Sequence, residues 1–169
     1  MTWALLAMAL AAPAPAPGAS EVMAEIARRG PDAVRDQLYA DEGQWAEVVR
    51  GVEAGVPEWL AVAEQLKGLH GGVSEELTVA VSRALARSPR TVLPILNAVF
   101  DADDVCSLNT LESSLGDEYQ AALREVEARR RAVAAVGDPA LAAARRECLA
   151  FLDELRREVV RNRADWFER

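Results

Sequence analysis

A chain of 169 residues with 51% hydrophobic side chains suits one domain, and a formal charge of −8 disfavours nucleic acid or an anionic membrane as its main partner. The charge is uneven: Ser20 to Leu123 carries 8 basic and 18 acidic residues, a net of −10, whereas Arg124 to Arg169 carries 11 basic and 9 acidic, a net of +2. Alanine is abundant and alternation of β-branched with aromatic residues is nearly absent, so the expected fold is all-α, with an acidic body and a mildly basic C-terminal hairpin that attract each other.

Residues 1–19 read MTWALLAMALAAPAPAPGA, and the apolar run Trp3 to Ala12 is too short to span a bilayer. Small residues and prolines follow it, which resembles a secretory signal peptide, although the only positive charge before the run is the terminal amine. The expectation is export to the periplasm or beyond, with no stable membrane insertion of the mature chain. Cleavage is expected after Gly18 or Ala19, because a cut after Ala12, Ala14 or Ala16 leaves proline next to it. No cysteine lies here to carry a lipid.

From Ser20 the chain reads as one domain, 20–169. Ser20 is the expected cap of a helix to Arg29 with Val22, Met23 and Ile26 inward, stopped by Gly30-Pro31. A second helix, from Pro31 or Asp32, carries Val34 and Leu38 with Tyr39 beside them, and a third, from Gln44 to Glu53, turns Trp45, Val48, Val49 and Val52 to one side. Pro57 suits the first turn of a fourth helix, to Lys67, with Trp59, Leu60, Ala63 and Leu66 inward. Leu69-His70-Gly71-Gly72 is the loosest linker in this body.

Ser74 is the expected cap of the next helix, whose inward face is Leu77, Ala80, Val81, Ala84 and Leu85, with Ser82, Arg83 and Arg87 near or beyond its edge. Ser88-Pro89 reads as a further cap and first-turn proline. Val92, Leu93, Ile95, Leu96, Val99 and Phe100 then surround most of a helix, so this element is expected at the centre, either bent at Pro94 or starting near it. After Cys106 a polar segment has Leu108, Leu111 and Leu115 as anchors. A longer helix from Asp117 to about Val136 bears Tyr119, Ala122, Leu123, Val126, Arg130 and Val133. Gly137-Asp138-Pro139 stops it and starts the last helix, with Leu141, Ala144, Cys148, Leu152, Leu155 and Val159 on one face. Trp166 and Phe167 lie beyond that stripe. The architecture expected is an irregular bundle of roughly seven or eight short antiparallel helices, tied by one disulfide.

Cys106 and Cys148 are the only cysteines. In an oxidising compartment they are expected to pair and to fasten the C-terminal hairpin to the central helices; the loop closed is about 43 residues, for which the chain-entropy model gives about 4 kcal/mol. Redox chemistry is disfavoured because no CxxC exists. Asp101, Asp103 and Asp104 form the only dense carboxylate cluster, and DADDVC lacks the glycine and the distant glutamate of a calcium loop. A surface turn is the plain reading and the rim of a protein interface the functional one. Following a helix C-terminus, Asp101 is not expected to stabilise a helix.

His70, the sole histidine, reads as an exposed loop residue without a zinc or nucleophile setting. Glu47, Glu58 and Glu64 are separated carboxylates that an acid–base hydrolase could use. Neither a Rossmann glycine pattern nor a P-loop is found, and no cofactor, metal or catalytic residue is nominated. The leading expectation is a non-catalytic interaction or structural module of the cell envelope, its partner a protein, and a basic one if charge sets the choice. The alternatives are an inhibitor of an envelope-acting enzyme and a small hydrolase.

PRTVLPIL at 89–96, DADDVC at 101–106 and RRECLAFL at 145–152 resemble segments of small exported proteobacterial proteins with no assigned function, over roughly Gln44 to Leu155. The chain is also similar, more distantly, to the small helical periplasmic immunity proteins that block effector enzymes of contact-dependent competition systems. The resemblance implies an envelope location and an all-helical body with a disulfide. It supplies no activity.

Overall fold

The computed structural model describes residues 17–68, 71–107 and 118–161. The described residues form nine α-helices and no strand: α1 Ala19–Arg29, α2 Pro31–Tyr39, α3 Glu42–Glu53, α4 Pro57–Leu66, α5 Gly72–Ala84, α6 Pro89–Val92, α7 Ala102–Cys106, α8 Glu118–Ala134 and α9 Ala142–Arg161. The expectations for Met1 to Ala16, His70, Leu108, Leu111, Leu115, Trp166 and Phe167 lie outside the described residues. Among the described residues no helix is long and apolar enough to cross a membrane.

Prolines open α2, α4 and α6 as read, because a first-turn residue has no intrahelical use for its amide. Ser88 holds the N-cap position of α6, without a side-chain hydrogen bond, while the other two expected serine caps fail. Helix α1 starts at Ala19, where the Gly18 carbonyl accepts the amides of Glu21 and Val22 and the Gly18 amide donates to the Glu21 carboxylate at 3.0 Å. Helix α5 starts two residues before Ser74: the Gly71 carbonyl, at a φ of +106° that favours glycine, accepts from Ser74 and Glu75. Asp41 caps α3, its Oδ1 accepting from Gly43 at 3.0 Å and Gln44 at 3.1 Å, so that helix also begins earlier than Gln44.

One contiguous core joins α1–α7 to the near half of the α8–α9 hairpin. Leu77, Ala80, Val81, Ala84 and Leu85 are fully buried in it, as the spacing predicts. A Cβ on Gly51 would lie 2.2 Å from the Trp59 indole, so α3 and α4 approach each other through a position with no side chain. The central apolar stretch differs from expectation. Rather than bending at Pro94 or starting there, the chain makes one α-turn to Val92 and tightens into a 3-10 turn over Leu93–Ile95. Val92, Leu93, Ile95, Leu96 and Phe100 are nonetheless buried, and Pro94 is exposed.

Val133, Val136, Cys148 and Leu152 of the hairpin belong to the main core, while Tyr119, Ala122, Val126, Leu155 and Val159 form a second, smaller cluster. At the junction the inward arginine is Arg129, 1% exposed, and not Arg130. The spacing 122, 126, 129, 133 runs down one helix face, and Arg129 stands where it calls for an apolar residue. Ser82, expected at the edge of its face, is fully buried because its hydroxyl accepts from Arg129 Nη1 at 2.7 Å. Ion pairs between described residues close within the body, as in Arg83–Glu53, or within the hairpin, as in Arg130–Asp153 and Arg156–Glu127. The expected attraction between acidic body and basic hairpin thus takes no form of an ion pair between described residues.

Candidate functional site: a disulfide-anchored acidic turn

Cys106 and Cys148 are bonded, with S–S 2.08 Å and Cα–Cα 5.4 Å, and both are fully buried. The bridge joins the last residue of α7 to the inward face of α9. Directly before it lies the acidic segment. Asp101 is the N-cap of α7, its Oδ1 accepting the Asp103 amide at 2.8 Å, so it does stabilise a helix, contrary to expectation: the element that follows it, hidden in a five-residue stretch, supplies the orphan amide. Asp103 and Asp104 fall in the first turn of α7, where the helix dipole favours negative charge. All three carboxylates are exposed, while Ala102, Val105 and Cys106 face the core.

Two residues that the sequence did not single out shape this turn. The Lys67 ammonium donates to the Val99 carbonyl at 2.9 Å and lies 4.4 Å from the centre of the Phe100 ring. Burial holds the Lys67 pKa below the ordinary lysine value, with the charges of Asp104 and Asp101 pulling the other way. Asn97 has a φ of +62° and donates its amide to the Phe100 carbonyl at 2.6 Å. Its Oδ1 accepts the Ala102 amide at 3.1 Å, and its Nδ2 donates to Glu147 of α9 at 2.7 Å. Asparagine tolerates left-handed backbone better than other residues with a Cβ, which is the one local signal pointing to it.

The other candidates lie on α3 and α4. Glu47 is paired with Arg50, and Glu58 and Glu64 lie six residues apart on α4, about 9 Å along its axis. Among the described residues no group of three or more His, Cys, Asp or Glu side chains could hold a metal ion. A cleft of about 470 Å³ opens between α2, the end of α4 and the start of α5. Its arginine, Arg35, is paired with Asp32 at 2.8 Å and Asp36 at 3.4 Å. Above the cleft the Glu76 carboxylate accepts from both the Tyr39 hydroxyl and the Trp45 indole, clamping α2 and α3 to α5. Compared with known proteins, the chain matches no family model, no curated protein and no solved structure.

Proposed function

We propose that the protein is a non-catalytic interaction module of the cell envelope, exported by its N-terminal segment, and that the turn from Asp101 to Asp104 is the rim on which a basic protein partner docks. The observation that carries this reading is the pairing of exposure with fixation. Asp103 and Asp104 are exposed on a helical turn whose far end is a buried disulfide, so an approaching cation meets carboxylates carried on a backbone already held in place, which lowers the ordering cost that falls on the complex. The net −10 of Ser20 to Leu123 adds a field that speeds association with a basic surface and weakens with salt.

The test uses the partner captured from the native envelope fraction and measures association at two ionic strengths. Asp103→Lys with Asp104→Lys is the informative variant, since it reverses two charges and leaves the Asp101 cap intact. The association rate is expected to fall about tenfold or more at low salt, with dissociation little changed and the helical spectrum preserved. An association rate indifferent to both the substitutions and the salt rejects the rim.

A further inference from the structure

A helix of five residues does not hold itself, because its hydrogen bonds are too few to offset the cost of nucleation. Helix α7 is instead gripped at both ends, and by neighbouring residues of a single helix. Cys106 at its C-terminal end is bonded to Cys148 of α9. At its N-terminal end the Ala102 amide is held by Asn97, whose other side-chain atom is held by Glu147, the residue next to Cys148. Asn97 is the only described non-glycine residue with a positive φ. A backbone held in that sparsely populated region persists only where its surroundings fix it, and here three hydrogen bonds meet on one residue.

We propose that the Glu147–Asn97–Ala102 relay is a strap that couples α9 to the order of the acidic turn, so that losing the Glu147 contact loosens Asp101 to Asp104 while the disulfide keeps the other end of α7 in place. The two grips differ in kind. The disulfide is buried and covalent, whereas Asn97 and Glu147 are exposed, so solvent and charged groups reach only the second one. A cation that takes the Glu147 carboxylate competes with the asparagine amide and frees the turn; a partner that orders the turn strengthens the hold on Glu147 by the same free energy.

The meaning of this coupling for binding rests on the rim proposed above, but its test needs no partner. Amide exchange of Ala102 and Asp103 is followed in the full chain and in three variants. Asn97→Asp keeps an acceptor for the Ala102 amide and a side chain suited to left-handed backbone, yet it loses the donor and sets a like charge beside Glu147. Together with Glu147→Ala it is expected to speed exchange at Ala102 and Asp103 by roughly fivefold to tenfold, the range of one hydrogen bond. Glu147→Gln, which can still accept, is expected to stay within about twofold of the parent. Unchanged exchange in Asn97→Asp and Glu147→Ala overturns the strap, as does an acceleration shared equally by all helices. A rim that binds nothing leaves these rates as expected, so the two readings fail separately.

Discussion

The most demanding residue in the fold is Arg129. Burial disfavours its charge, and Glu125, at 3.1 Å and 22% exposed, opposes that effect. Replacement by alanine removes a buried charged group and opens a cavity, and is expected to cost about 3 kcal/mol or more in urea unfolding. Arg129→Met fills most of the space, Glu125 is exposed enough to hydrate, and the Ser82 hydroxyl has the carbonyl of Thr78 one turn back to turn to. Methionine is therefore expected to recover more than half of the loss, and equal losses for the two variants reject volume as the main term. The arginine expected on the apolar face of α8 is Arg130, yet the apolar spacing passes through 129. What hid it was chemistry: an arginine on an apolar stripe is read as a slip in register unless its acceptor is known, and Ser82 lies 47 residues away.

At the scale of an element, the hairpin is held by a charge ladder as well as its small apolar cluster. Glu127 on α8 accepts from Arg156 on α9 and from Arg130, which also reaches Asp153 on α9. The Arg156 hydrogen bond, with Arg130 behind it, holds the Glu127 carboxyl below the ordinary glutamate range against an opposing effect of burial. The unfolded chain therefore takes up the proton first as acid is added. The ladder's contribution is complete above the ordinary glutamate range and is lost as pH falls through the lower folded value. Carbon-detected titration of the carboxyls is expected to place the Glu127 midpoint below that range and to see it rise in Arg156→Gln; a midpoint unmoved by that change rejects the ladder. Elements were the most legible level of the chain. Asp138 caps the turn before α9 through the Ala140 amide at 2.9 Å, as Gly137-Asp138-Pro139 announces. Ser20 and Ser74 misled because a glycine nearby took the capping position, Gly18 in ordinary extended backbone and Gly71 at a positive φ that leaves no trace in composition.

For the whole molecule, the Cys106–Cys148 bridge spans a separation of 42 residues and joins α7 to α9. Replacing both cysteines by alanine is expected to cost about 4 kcal/mol and to lower the melting temperature by about 10 °C, with the helical signal retained because apolar faces meet on both sides of the link. An unchanged melting temperature, or loss of the helical signal, contradicts this. The all-α class and the inward register of Cys148 were readable from periodicity; the pairing was read from that register together with the count of two cysteines and the expectation of an oxidising compartment. The contacts that shape the acidic turn were not, because Lys67 meets Val99 across 32 residues and Asn97 meets Glu147 across 50, and no local repeat encodes either. The division between body and hairpin also bears on how the chain comes to be made. A polypeptide emerges from its N-terminus, so α1–α7, carrying their own ion pairs and most of the core, are complete before Cys148 has been added. Through that interval Cys106 is a lone thiol, and with only two cysteines in the sequence it has no wrong partner within its own chain. The disulfide error open to a growing molecule lies outside its own chain, and a bridge to a second molecule forms at a rate that rises with concentration while that of native closure does not.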